Sequence, residues 1–247
     1  MLKSLLRPLA LLALLAPVSA RAESTTLAVA TNFAPLAEKL AADFAAASGH
    51  EITVTAGATG KLYAQISAGA PFDAFLSADQ KTAEKLVADG LALADSRFTY
   101  ATGQLALWSA DPARDLSDPK AALLAASHIA IANPDLAPYG KAAMETIESL
   151  GLSDQISDRI VTGENIGQAQ SMVASGAADL GFVASSALAG KTEGASWPVP
   201  ADLHAPIRQD AVLLTRGADN AAATGFLAYL ITPEVRQTIA AAGYGTE

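Results

Sequence analysis

The chain has 247 residues, a formal net charge of −9 and no cysteine. Without cysteine it can form neither disulfide bonds nor thiolate metal sites, and thiol catalysis is excluded. The acidic balance argues against nucleic acid and anionic lipid surfaces as partners. The histidines, His50, His128 and His204, lie far apart and lack metal-ligand spacing, so we interpret them as ordinary surface or loop residues.

Residues 1–22 have the pattern of a secretory signal peptide. Lys3 and Arg7 precede an apolar run, and small residues offer a cleavage site near Ala20 or Ala22. Since no cysteine lies at that site, we do not expect a lipid anchor. No later stretch reaches the ~18 consecutive apolar residues of a membrane-spanning helix. We therefore expect an exported, periplasmic protein of about 225 mature residues, which can form one large domain or two of roughly 100.

The first mature segment predicts a buried strand followed directly by a helix. Apolar residues of 26–33 are typical of a strand that is buried on both faces, and apolar residues recur at helical spacing over 34–48. The hydroxyl of Thr31 and the amide of Asn32 then lie where the helix N–H groups and the positive end of its dipole point outward. These two residues either bind an anion or simply cap the helix.

The same order of strand, small turn and helix follows at once. A strand over 51–55 leads into the turn 56–60 and a second helix. Thr59 and, secondarily, Ala58 would present a hydroxyl and N–H groups to the same anion. The Gly-Lys pair in this turn does not indicate a phosphate loop, because Leu62 stands where that motif requires Ser or Thr.

A third strand over 71–77 precedes a helix over 80–88 that Asp79 is expected to cap. Strands alternating with helices of this length predict right-handed βαβ units and a mostly parallel sheet. The ligand crevice of such a sheet lies beyond the carboxyl ends of its strands, where Thr31 and Thr59 both fall.

The strand-like run 98–108 predicts a crossing into a second lobe with the same alternation. Strands are expected over 128–132, 160–161 and 178–183, and helices over 141–150 and 167–174. Tyr139 precedes the first of these helices, and Ile166, with Asn165 beside it, precedes the second. Both loops are suited to close over whatever the first lobe holds, although Tyr139 fits a packing role equally well.

A strand over 207–214 predicts the return crossing, and helices over 220–230 and 233–242 complete the first lobe. We therefore expect an α/β fold of two lobes, each a mostly parallel sheet flanked by helices. Lobe I would comprise residues 23–102 and 206–247, and lobe II residues 103–205. Two crossings between the lobes form a hinge, which is typical of exported receptors that close on a solute.

Taken together, these segments resemble the periplasmic molybdate-binding proteins of ABC transporters over essentially the whole mature chain. The most specific segments are 28–33 (AVATNF), 57–66 (GATGKLYAQI), 69–79 (GAPFDAFLSAD) and 133–140 (NPDLAPYG). The resemblance implies the type II periplasmic-binding-protein fold and a binding protein rather than an enzyme. It also implies a monomer without a cofactor, molybdate or tungstate as ligand, and an inner-membrane ABC permease as partner.

The resemblance further implies that a tetrahedral oxyanion is held by hydroxyl and N–H groups without a balancing cation. The implied residues are Thr31, Asn32, Thr59, Tyr139 and Ile166, with Ala58 and Asn165 as secondary candidates. No metal is expected beyond the molybdenum of the oxyanion itself. Some members place an anion-binding tyrosine at the position of Ala184, so Asn32 or the Tyr139 phenol would have to supply that donor.

Three other functions remain as alternatives. A receptor for sulfate or phosphate is the strongest, because helix amino termini accept any small oxyanion. An exported hydrolase lacks a Gly-x-Ser-x-Gly motif and a histidine with a nucleophile partner. An effector-sensing domain of a transcription regulator conflicts with the export signal and with the lack of a basic DNA-binding segment.

Overall fold

The computed structural model describes residues 22–245. Residues 1–21, which carry most of the predicted signal peptide with the cleavage site near Ala20, lie outside the described residues. Within 22–245 no helix is long and apolar enough to cross a membrane.

Strands and helices alternate along the described chain. The strands are β1 (Ser24–Ala30), β2 (Glu51–Gly57), β3 (Ala74–Leu76), β4 (Phe98–Gly103), β5 (Leu105–Ser109), β6 (Ile129–Ala132), β7 (Ile160–Gly163), β8 (Leu180–Ala184), β9 (Ala195–Pro198) and β10 (Ile207–Leu213). The helices are α1 (Ala34–Ser48), α2 (Thr59–Ser67), α3 (Gln80–Ala88), α4 (Pro119–Ala125), α5 (Pro138–Ser149), α6 (Ser153–Ile156), α7 (Ile166–Ala174), α8 (Ala221–Leu230) and α9 (Pro233–Ala241).

The strands form two five-stranded sheets of the same design. Their orders are β2-β1-β3-β10-β4 in lobe I and β7-β6-β8-β5-β9 in lobe II. The first three strands of each order pair in parallel, and the fourth is antiparallel to both of its neighbours. That antiparallel strand is in each lobe the one that has just crossed from the other lobe. The predicted α/β fold of two lobes with mostly parallel sheets is confirmed.

The strand-like run 98–108 is two strands in different sheets. β4 ends at Gly103 and β5 begins at Leu105, so the chain crosses between the lobes at Gln104. The return crossing lies between the end of β9 and the start of β10. The end of the described chain also lies at the hinge, because Gly245 and Thr102 exchange two backbone hydrogen bonds of 2.7 and 2.8 Å.

Three elements differ from the sequence-based expectation. α5 begins at Pro138 rather than at residue 141, because proline is favoured at the first helical position, so Tyr139 lies inside the first turn. α4 begins behind the capping side chain of Asp118 and was not predicted. β9 was also missed, and its Pro198 is tolerated because β9 is an edge strand.

The hydrophobic core of lobe II continues across the hinge. Its buried cluster includes Leu105 and Ile166, but also Ala30, Ala78 and Ile207 from lobe I. Ala30 and Ala78 lie at or just beyond the carboxyl ends of β1 and β3. The lobes are therefore packed against each other where these strands end.

Candidate functional site

A small chamber lies between the lobes, at the carboxyl ends of the parallel strands. Its cavity volume is about 10 Å³, close to what one water molecule requires. The lining residues are Ala30, Thr31, Asn32, Gly57, Ala58, Thr59, Ala78, Ala137, Pro138, Tyr139, Asn165 and Ile166. All seven residues that the sequence suggested lie in this one wall. The other five are small or apolar residues that carry no signal of their own.

Four helices begin at the chamber, and three of them have no side-chain cap. The N-cap residues of α1, α2 and α5 are Phe33, Ala58 and Ala137, none of which makes a side-chain capping bond. The fourth, α7, is capped by Asn165, whose Oδ1 accepts from the Gln168 N–H at 3.0 Å. The first N–H groups of a helix have no acceptor within the helix, so these termini present positive dipole ends and those first-turn N–H groups that are not bonded elsewhere.

The longer helices that begin away from the chamber have side-chain caps. Among described helices of at least seven residues, the remaining four have capping side chains that accept from the first turn. These capping residues are Asp79, Asp118, Asn220 and Thr232. Among these longer described helices, uncapped termini therefore occur only at the chamber. The interpretation of Thr31 or Asn32 as the cap of α1 is wrong, because Phe33 occupies that position.

Two threonine hydroxyls add to the donors. Thr31 Oγ1 is buried and has no hydrogen-bond partner among the described residues. Thr59 Oγ1 accepts from the Ala78 N–H at 3.2 Å, which leaves its own hydrogen free to donate. An unsatisfied buried polar group costs about 1–3 kcal/mol, so a ligand oxygen beside Thr31 would recover that cost.

The lining contains no charged side chain. The closest ion pair in sequence joins Lys61 of lobe I to Glu164 of lobe II, with Nζ and Oε1 2.7 Å apart and both side chains largely exposed. Glu164 is exposed, and the cap of α7 is Asn165. The chamber can therefore bind an anion through neutral dipoles, with a balanced ion pair at its rim.

Backbone contacts hold the lobes close on either side of the chamber. The Gly60 N–H donates to the Leu136 carbonyl across the cleft at 2.9 Å. Gly60 and Gly167 are the second residues of α2 and α7, and each faces the other lobe. A Cβ atom would lie 3.2 Å from Leu136 Cα at Gly60, and 2.9 Å from Thr31 Cγ2 at Gly167. Glycine at these two positions permits the close approach.

The side chains of Asn32 and Tyr139 point away from the chamber, into the hinge. Asn32 Nδ2 donates to Gln209 Oε1 at 2.7 Å and lies 3.5 Å from Tyr139 Oη. The two residues therefore offer the chamber their backbone N–H groups. Our suggestion that the Asn32 side chain or the Tyr139 phenol replaces a donor absent at Ala184 is not supported by these contacts. Ala184 itself is buried in the core of lobe II.

Three hinge phenols remain neutral and can act as donors. Burial raises the pKa of Tyr139 and of Tyr100 well above the ordinary value. Burial also raises the pKa of Tyr244 to about 12. Tyr100, Tyr244 and Gln209 were not predicted to be functional. The one signal was the run Arg208-Gln209-Asp210, three consecutive polar residues in a strand whose other four residues are apolar.

No group of three or more His, Cys, Asp or Glu side chains suited to a metal ion occurs within residues 22–245.

Comparison with known proteins gives a consistent result. The family described as bacterial extracellular solute-binding protein matches residues 25–245. The molybdate-binding protein ModA of Rhodobacter capsulatus is 48% identical over 230 residues, which cover 92% of this chain and 90% of that protein.

Two solved structures extend the comparison. The periplasmic molybdate-binding protein of Azotobacter vinelandii superposes with a TM-score of 0.86 at 43% identity, covering 90% of this chain and 99% of the other. The substrate-binding domain of a putative molybdenum ABC transporter from Clostridium difficile superposes with a TM-score of 0.69 at 25% identity, covering 92% and 100% of the two chains.

We predict that Gly167→Ala weakens the binding of small oxyanions without destabilising the free protein. The new methyl group would crowd Thr31 Cγ2 only when the lobes are together, whereas alanine is favoured over glycine in a helix by about 1 kcal/mol. Titration calorimetry should show roughly tenfold weaker binding, with an unchanged or higher melting temperature of the free protein. Ser171→Ala, on the exposed face of the same helix, is the control; equal affinities of the two variants would contradict the prediction.

Proposed function

Because the chain belongs to the family of bacterial extracellular solute-binding proteins, we propose that it is a periplasmic receptor which binds molybdate between its lobes and delivers it to an ABC permease. Its molybdate-binding relatives cover nearly the whole chain. The observation that carries the proposal is the convergence of four helix amino termini on one chamber without charged residues.

The donor chemistry supports an oxyanion that carries no proton. The identified chamber donors are N–H and hydroxyl groups, each worth about 1.5–3 kcal/mol when it bonds to a charged oxygen. A protonated oxyanion such as hydrogen phosphate would need an acceptor for its own proton, and no carboxylate lines the chamber. Molybdate and tungstate, which are of nearly equal size, should both bind.

Sulfate is the second candidate, because it is also fully deprotonated and accepts the same bonds. Discrimination against sulfate would come from the smaller size of that anion. Donors reach the chamber from both lobes, at Thr31 and Thr59 on one side and at Tyr139 and Ile166 on the other. A smaller anion cannot meet both sets at once, and an unmet buried donor is costly.

Catalysis on the bound anion is not supported by the lining. It contains neither a histidine nor a carboxylate that could act as a general acid or base, and threonine hydroxyls lack an adjacent base to activate them. The site is therefore suited to reversible binding. Its relatives are likewise named as binding proteins.

A thermal-shift panel on the mature chain tests the proposal. Molybdate and tungstate should raise the melting temperature progressively with concentration, since binding to the folded state stabilises it by about 2.7 kcal/mol at a hundredfold excess over Kd. Sulfate and phosphate at the same concentrations should have much smaller effects. An equal response to sulfate, or no response to any oxyanion, would overturn the assignment.

Thr59→Ala should weaken molybdate binding roughly tenfold and also destabilise the free protein, by about 1–3 kcal/mol. The second effect arises because the buried Ala78 N–H loses its acceptor. Thr59→Ser retains the hydroxyl and is the matched control. Calorimetric titration and urea unfolding measure the two effects; normal binding by the alanine variant would remove Thr59 from the site.

The rim ion pair should act asymmetrically on affinity. Lys61→Met leaves the Glu164 carboxylate uncompensated near a dianion, so binding should weaken severalfold, within the range of about 0–1 kcal/mol for an exposed pair. Glu164→Gln should not weaken binding, and the double variant should recover the loss. Titrations at low and high salt should show that the differences shrink as salt screens the charges. Weaker binding by Glu164→Gln than by Lys61→Met would contradict this account.

A further inference from the structure

A buried polar network lies behind the chamber, at the hinge. Asn32 of lobe I and Tyr139 of lobe II each line the chamber, and their side chains meet on the hinge side. Asn32 is held there from a second direction, because Tyr244 Oη donates to its carbonyl oxygen at 2.7 Å. Tyr244 in turn accepts from Ser186 Oγ of lobe II at 3.0 Å. The same residues therefore contact both the chamber and the hinge.

Gln209 lies at the centre of this network and is fully buried. Its Oε1 accepts from Asn32 Nδ2 at 2.7 Å and from Tyr100 Oη at 3.1 Å. Its Nε2 is buried without a hydrogen-bond partner among the described residues. A buried unsatisfied donor in a native structure calls for an explanation, and a group that changes partners during a conformational change is one.

A break in strand register lies beside Gln209. The pairing of β10 with β4 shifts between Gln209 and Asp210, where β4 carries the extra residue Tyr100, as in a β-bulge. Asp210 bonds instead to Thr99 and Arg97 within lobe I. The irregularity lies where the chain has just returned from lobe II.

Gly103, at the other crossing, makes room for the network. A Cβ atom there would lie 2.2 Å from Tyr139 Oη and 3.0 Å from Gln209 Nε2. The Tyr139 phenol of lobe II and the Gln209 amide of lobe I therefore pack directly against the backbone of Gly103. A rotation of the lobes about Gly103 and Gln104 must therefore move Tyr139 relative to Gln209.

We propose that Gln209 is a positioning residue that couples occupation of the chamber to closure of the lobes. It holds the Asn32 side chain beside the Tyr139 phenol, so that the backbone N–H groups of these two residues face the same anion only when the lobes are closed. The inference rests on the proposed oxyanion-binding function. Gln209 does not itself line the chamber.

This role differs from a purely structural one in its kinetics. A network that forms on closure stabilises the closed, bound state and leaves the encounter with the open state unchanged. Its loss should therefore speed dissociation rather than slow association. Loss of a side chain that only stabilised lobe I would lower the unfolding free energy without changing either rate constant.

The test compares Gln209→Met with Val212→Ala, a fully buried position on the same strand that lies outside the network. Stopped-flow mixing with molybdate gives the two rate constants, and small-angle X-ray scattering reports closure. For Gln209→Met we expect a Kd about tenfold higher, nearly all of it in the dissociation rate constant. Val212→Ala should lower the unfolding free energy while its Kd stays within about twofold of the wild type.

Tyr139→Phe is a second variant, for the case that Gln209→Met fails to fold. It keeps the ring packing and the backbone N–H of residue 139. It should also speed dissociation, and the double variant should be little weaker than the worse single variant, because the two residues act in one network. An unchanged dissociation rate constant in Gln209→Met would overturn the inference, and so would one in Tyr139→Phe if only that variant folds. An equal increase of the dissociation rate constant in Val212→Ala would also overturn it. A wild-type protein that binds no oxyanion would overturn the proposed function, and the inference with it.

Discussion

Backbone N–H groups at uncapped helix starts are the constraint on which the rest of the structure depends. A helix terminus buried without a capping side chain requires another acceptor, because its first N–H groups have none within the helix. In this chain α1, α2 and α5 all begin without a cap at one small chamber. A ligand with several charged oxygens satisfies these donors together.

The sheet topology brings these termini to one place. Each lobe repeats the same strand order, with parallel strands whose carboxyl ends face the cleft and with one antiparallel strand that arrives from the other lobe. Because β5 and β10, which each follow a crossing, are interior strands of their sheets, the hinge is continuous with both cores. Gly60 and Gly167 let the lobes approach each other without steric conflict.

Neutral donors and the hinge network together explain how a dianion could be held firmly and still be released. Dipoles spread its charge without a fixed counter-ion, so nothing in the chamber traps it once the lobes separate. The side chains of Asn32 and Tyr139 connect the separation of the lobes to Gln209 at the crossing. Affinity would then reflect the energy of closure as much as the contacts of the anion itself.

The sequence alone determined the alternation of strands and helices, the two lobes, and seven of the twelve residues that line the chamber, because strand-turn-helix boundaries carry strong local signals. It did not show that the run 98–108 is two strands of different sheets, since strands of both sheets share one hydrophobic pattern. Nor did it show that the Asn32 amide serves the hinge, or that Gln209 lies behind the chamber. Those facts depend on which side chains meet across lobes more than a hundred residues apart in sequence, and only the tertiary structure decides such contacts.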